Sequence, residues 1–231
     1  MLKMIKAMTT SRCRSMTGER FSITKRALFL VIAFLGMLET HRQATETGVR
    51  ARQRILDASY ELFSQRGIRA VGINEVIERA GVATATLYRH FPSKDELVLA
   101  FLQLREQRWT KDFVEAGAMS RGSNPEQRLL AIFDVFDEWF HRDDFEACSF
   151  INVLLEMGPE HPAGGASVWH LEQIRSIVRR LAEEAGLRDT ETFARSWHIL
   201  MKGSIIAATE GDTQAAQLGK SIARLLIEQH R

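Results

Sequence analysis

With 231 residues, 45% of them hydrophobic and 26% charged, the chain can bury a substantial core, which excludes a disordered tail or a fibre. Its net charge of +2 is unevenly laid out: Lys and Arg outnumber Asp and Glu by 8 to 3 in residues 1–48 and by 8 to 5 in 49–95, but are outnumbered 15 to 21 in 96–231. A basic front and an acidic rear point to a polyanionic partner for the front alone, because cations that meet phosphates release counterions and acidic surface repels them.

Residues 1–26 are basic and rich in Ser, Thr and Met, and they lead into an apolar run of 12 residues, 27–38. A membrane helix needs about 20. A secretory signal would need small residues at its cleavage site, where Glu39, Thr40, His41 and Arg42 stand instead. Residues 1–46 therefore read as an N-terminal extension, either a mis-assigned start with Met37 as the native initiator or an extra helix packed on the body. Cys13 and Cys148 have no metal-ligand spacing and suit a reducing, cytoplasmic compartment. Cys148 reads as a buried structural thiol.

From Thr47 onward the pattern is helical. Ile55, Leu56, Ser59, Leu62 and Phe63 recur at steps of three and four, one face of an amphipathic helix that Gly67 ends. A second helix runs over Ile73, Val76, Ile77 and Ala80, and Gly81 supplies the left-handed corner before a short third segment, 84–90. Two short helices across a glycine corner form a helix-turn-helix, with Val82 and Leu87 packing inward. Pro92 cannot continue the third segment. Ser93 caps the next helix, with Glu96 at the capping-box position. The head is assigned to residues 47–95 and an all-helical body to 96–231.

The stretches RILDASYELF (54–63), IERAGV (77–82) and TLYRHFPSKDEL (86–97) closely resemble the tetracycline-repressor (TetR) family, in the family's order and spacing. The resemblance covers residues 49–98. It implies an all-α fold of about nine helices, a homodimer, a three-helix DNA-binding head and a divergent ligand-binding body. Carried across, Tyr88 matches the family's phosphate-contacting tyrosine and Lys94 the lysine that meets the DNA backbone. Both residue types suit phosphate beside a helix N-terminus. Thr84, Ala85, Thr86, Arg89 and His90 complete the expected DNA-binding set, with Arg89 reading guanine and the Thr and Ala methyls touching thymine. Two positions depart from the family. Ala83-Thr84 stand where Ser-Lys is common, so Thr84 is expected to cap the third helix one residue late, and Gly72 stands where Thr is common.

The body reads as six further helices: 93 to about 117, 125 to about 141, 147–157, 166–185, 189–209, and 213 to the end. Asn124-Pro125 is a cap and first-turn proline, and residues 158–162 are a break. The last two helices, about 189–230, carry Gly203, Ser204, Ala207, Ala208, Ala215, Ala216, Gly219 and Ala223 beside Leu200, Leu218, Ile222 and Leu225. They fit a homodimer face built as a four-helix bundle, or close packing within one subunit. Trp109, Phe113, Phe136, Trp139, Phe150, Trp169 and Trp197 are the expected ligand-binding aromatics, each also readable as plain core, with Asn152, His170 and His198 as polar candidates.

The function expected is a DNA-binding transcriptional repressor released from a palindromic operator by a small apolar or aromatic effector, with the helix from Lys94 past Trp109 as lever. The competing reading makes the body a protein-interaction module. No nucleophile elbow, phosphate loop or paired metal ligands occur, so no enzyme, cofactor or metal is expected, and no membrane partner.

Overall fold

The computed structural model describes residues 48–231; the expectations for the extension, Met37 included, lie outside the described residues. Every element there is helical, and nine helices follow one another. Helix α1 covers residues 48–66, α2 is Ile73–Ala80 and α3 is Thr84–His90. Helix α4 starts as Lys94–Arg105, continues through a π-helical stretch, Glu106–Glu115, and ends as Ala116–Arg121. The body then adds α5 (Pro125–Phe140), α6 (Ser149–Met157), α7 (Pro162–Glu184), α8 (Thr190–Thr209) and α9 (Ala215–His230).

The head closes as its sequence demands. Ile55, Leu56 and Phe63 bury the inner face of α1, and Ser59 joins them because its hydroxyl donates to the Ile55 carbonyl of its own helix at 2.6 Å. Gly81, at φ +60°, ends α2 in the left-handed region, its N–H bonding the Glu78 carbonyl and that of Val82 the Ile77 carbonyl. Leu87 of α3 is fully buried beneath that corner. Ser93 accepts from the Glu96 N–H at 3.1 Å to cap α4.

Two expectations need correction, and one feature has no counterpart in the sequence reading. Ala83, not Thr84, stands at the N-cap of α3, which starts without a side-chain cap, as does α2 behind Gly72. Helix α7 begins at Pro162, four residues before the expected Ala166. The His161 ring accepts from the Ala163 N–H, and Pro162 occupies the first turn, where its missing N–H costs nothing, so a proline read as part of a break starts the helix. The π-helical stretch of α4 was not foreseen. Such stretches are uncommon and often mark functional places in helices.

Helix α5 is the centre of the body, touching α4, α7, α8 and α9. Its Leu129, Phe133 and Phe136 are fully buried, and Phe133 meets Trp197 of α8 at 5.5 Å between ring centroids. Gly219 lets α9 approach closely, since a Cβ there would collide with Phe133 and the Ser204 hydroxyl.

Candidate nucleic-acid interface and effector cavity

Helix α3 turns one side inward through Leu87 and the other to solvent. Thr84, Ala85 and Arg89 are exposed, Tyr88 is 45% exposed, and Thr86 and His90 are half-buried. Arg89 makes no ion pair among the described residues, whereas Arg79 is tied to Glu61 and Arg66 to Glu75. Both Arg89 and Tyr88 are exposed, and among the described residues neither side chain has a hydrogen-bond or ion-pair partner. Burial, with Arg89 and Arg52 nearby, lowers the pKa of His90, so this ring is a neutral group at the edge of the face.

Lys94 is engaged differently from its expected role. Its ammonium donates to the carbonyls of Ile68 at 2.6 Å and Val71 at 2.7 Å, leaving one N–H for a phosphate. The two carbonyls belong to the loop between α1 and α2. The same loop is held from the other side by Glu156 of α6, whose carboxylate accepts from the N–H groups of Ile68 at 2.8 Å and Arg69 at 3.1 Å. Gly67 makes this possible twice over: it sits at φ +78°, and a Cβ on it would collide with the Glu156 carboxylate. Glu156 is a functional candidate that sequence reasoning missed, since no local pattern marks a glutamate 88 residues from its partner.

The body holds two neighbouring hollows. An inner cavity of about 10 Å³, room for about one water, is lined by Trp109, Cys148, Ile151, Leu171, Ile174, His198, Met201, Lys202 and Ile205. An outer cleft of about 270 Å³ lies among Tyr60, Arg105, Arg108, Trp109, Phe113, Trp139, Arg142, Asp144 and Glu146. Trp109, on the π-helical stretch, lines both. Buried Arg105 donates to the Tyr60 hydroxyl at 2.9 Å and to Glu146 at 2.5 Å, joining α1 to the body across the cleft.

The expected ligand-binding aromatics divide. Trp109 is at both hollows, and Phe113 and Trp139 are at the outer one. Phe136, Phe150 and Trp197 are fully buried core and line neither. Trp169 is 56% exposed on α7, so its expected place in a pocket is corrected: its helical phase points it to the surface. Among the polar candidates, His170 stacks on Phe150 and bonds Glu106 at 3.2 Å, a satisfied structural pair, and Asn152 lines neither hollow. His198 does line the inner cavity. Its Nδ1 is buried without a partner, and burial, reinforced by Lys202 and Arg175, pushes its pKa down to about 3.

The small residues of α8 and α9 divide, with Gly203 exposed and Ala207 and Ala208 half-buried. Ser204, Ala215, Ala216, Gly219 and Ala223 are buried within the subunit, which for these five fits the second reading, close packing within one subunit. The large apolar residues face out instead. Ile199 and Ile206 of α8, and Leu218, Ile222 and Leu225 of α9, are exposed at helical spacing along two packed helices.

Comparison with known proteins agrees with this geometry. Residues 55–101 match the family profile of bacterial regulatory proteins, tetR family. The HTH-type transcriptional repressor KstR of Rhodococcus jostii (strain RHA1) is 31% identical over 140 residues, 61% of this chain and 61% of that protein. The HTH-type transcriptional activator FasR of Mycolicibacterium smegmatis is 36% identical over 92 residues, 40% of this chain and 41% of its own. The chain thus spans under two thirds of the length of these two relatives. The crystal structure of SCO4454, a TetR-family transcriptional regulator from Streptomyces coelicolor, superposes with a TM-score of 0.72 at 27% identity, covering 79% of this chain and 96% of that one. The profile falls on the three-helix head and α4, and the structural match extends over the body. The head of this chain is thus similar to the tetR family of bacterial regulatory proteins, and its helix-turn-helix head followed by an all-helical body is the arrangement shared with the TetR-family regulator from Streptomyces coelicolor.

Proposed function

We propose that the protein is a dimeric repressor held on a palindromic operator by α3 and released when an apolar or aromatic small molecule enters the inner cavity. One observation carries the reading: the α1–α2 loop of the DNA-binding head is gripped by Lys94 of α4 and Glu156 of α6, two helices that also wall the cavity through Trp109 and Ile151. The cavity holds about one water, so a larger ligand must push its walls apart. Movement of α4 or α6 is then felt at residues 68–71, and the head turns away from the spacing that DNA requires. The ligand shifts this equilibrium only by its better fit to the opened body. Repression is preferred because the relative described as a repressor matches over 140 residues and the activator over 92. A regulator of this kind works in the cytoplasm, and no helix among the described residues is long and apolar enough to cross a membrane.

Two residues on the exposed side of α3 predict separable defects. Arg89→Ala should weaken operator binding by about 1–3 kcal/mol and relax the preference at one base pair, whereas Tyr88→Phe should weaken all sequences evenly. Binding titrations on the operator and on single-base variants measure both. An evenly weakened Arg89→Ala would assign Arg89 to phosphate instead of base.

The Glu156 grip has its own signature. A carboxylate accepting two backbone N–H groups contributes about 1.5–3 kcal/mol for each charged hydrogen bond when buried, and less here because the site is half-exposed. Glu156→Ala should raise amide exchange at residues 68 and 69 without unfolding the body, as read by hydrogen–deuterium exchange. Unchanged protection there would mean that α6 does not hold the head.

A further inference from the structure

The surface open to the inner cavity is apolar, but four of the residues that line it carry polar atoms just behind that surface: Trp109, Cys148, His198 and Lys202. Trp109 Nε1, a donor, is buried without a partner, and so is His198 Nδ1, which donates in one neutral tautomer. Lys202 projects from α8, one turn beyond His198, into the same lining and has no carboxylate partner among the described residues. Arg175 of α7 follows the lining residue Ile174; Glu172 engages one end of its guanidinium, but its Nε is buried and unbonded. The Cys148 thiol is held protonated by burial. Around this space there are donors and positive charges and no carboxylate; the one acceptor nitrogen is that of the neutral His198 ring. Burial and Arg175 together depress the pKa of Lys202, as expected of cations near one another without a counter-ion.

An ammonium with no carboxylate partner, beside buried ring nitrogens that bond nothing, is matched by a ligand that brings a negatively charged acceptor. The rest of the lining, Ile151, Leu171, Ile174, Met201 and Ile205, offers only hydrocarbon and thioether surface. We infer that the effector is an amphipathic carboxylate, its apolar chain or ring among these residues and its carboxylate on Lys202, within reach of His198 Nδ1 and Trp109 Nε1. This deepens the reading of the inner cavity as the effector site and rests on it.

Calorimetric titration with decanoate and 4-phenylbutyrate, against 1-decanol and 4-phenylbutan-1-ol, tests the inference. The acids should bind about ten- to a hundredfold tighter than the alcohols, the span of a charge-assisted hydrogen bond. Lys202→Met, at a half-exposed position that tolerates methionine, should erase this preference. Filling the cavity by Ile174→Phe, or by Ile205→Phe if the first does not fold, should block all four compounds. Alcohols that bind as well as acids, and are blocked by the filling variants, would overturn the carboxylate while leaving the cavity in place. Acid binding that survives filling would overturn the cavity itself, and absence of binding by either acid would overturn the proposed class.

Discussion

Ile222→Glu should convert the protein to a monomer and lower its operator affinity by about a thousandfold or more. Ile222 lies at the middle of the exposed apolar row Leu218, Ile222, Leu225 on α9, beside Ile199 and Ile206 of α8. Two packed helices with outward apolar rows fit a four-helix bundle with a second copy. In a two-fold interface one substitution places two carboxylates in the same apolar seam, and each buried ion costs several kcal/mol. Ile222 is already in water in the single subunit, so the fold should survive, with unchanged circular dichroism. Sedimentation reads the mass. Affinity falls because two heads about 34 to 36 Å apart engage a palindrome together and one head gives up half the phosphate contacts. A dimer that persists would place the interface elsewhere.

Trp197→Ala should destabilise the protein by about 3–5 kcal/mol, lowering its melting temperature by roughly 6–20 °C. The ring is fully buried against Phe133 and Phe193 and lines neither hollow, so its loss leaves a void in the centre of the body. Its Nε1 has no partner, so no hydrogen bond is lost with it. Calorimetric unfolding distinguishes this from the sequence expectation of a ligand contact, under which stability would hold and only the response to effector would fall.

The head was legible because local chemistry determines it. Gly81 must adopt the left-handed corner, Ser93 must cap, Leu87 must turn inward, and α3 is so short that the exposed side follows from those three. The body was legible as helices but not as a site. Helical periodicity says that Trp109 and Trp197 face the interior, yet both are buried to nearly the same degree and only neighbours from other helices decide which one borders a cavity. Trp169 shows the same limit in reverse, since its helix is long and one residue of phase carries an aromatic from His170's side to the surface. The small residues of α8 and α9 announced close helix approach correctly but not against which partner, and Gly219 proved to admit Phe133 of its own subunit. Glu156 and Lys94 act across long chain separations on backbone atoms, and backbone atoms carry no sequence signal.

The central claim is that α3, with Arg89 and Tyr88 outward, reads duplex DNA as one half of a symmetric pair. Selection of bound duplexes from a random pool by the purified full chain tests it most directly. The account predicts an inverted repeat whose half-sites lie about one helical turn, roughly 10 base pairs, apart, bound with strong salt dependence. A selected pool with no inverted repeat, or no enrichment of any sequence, would contradict it.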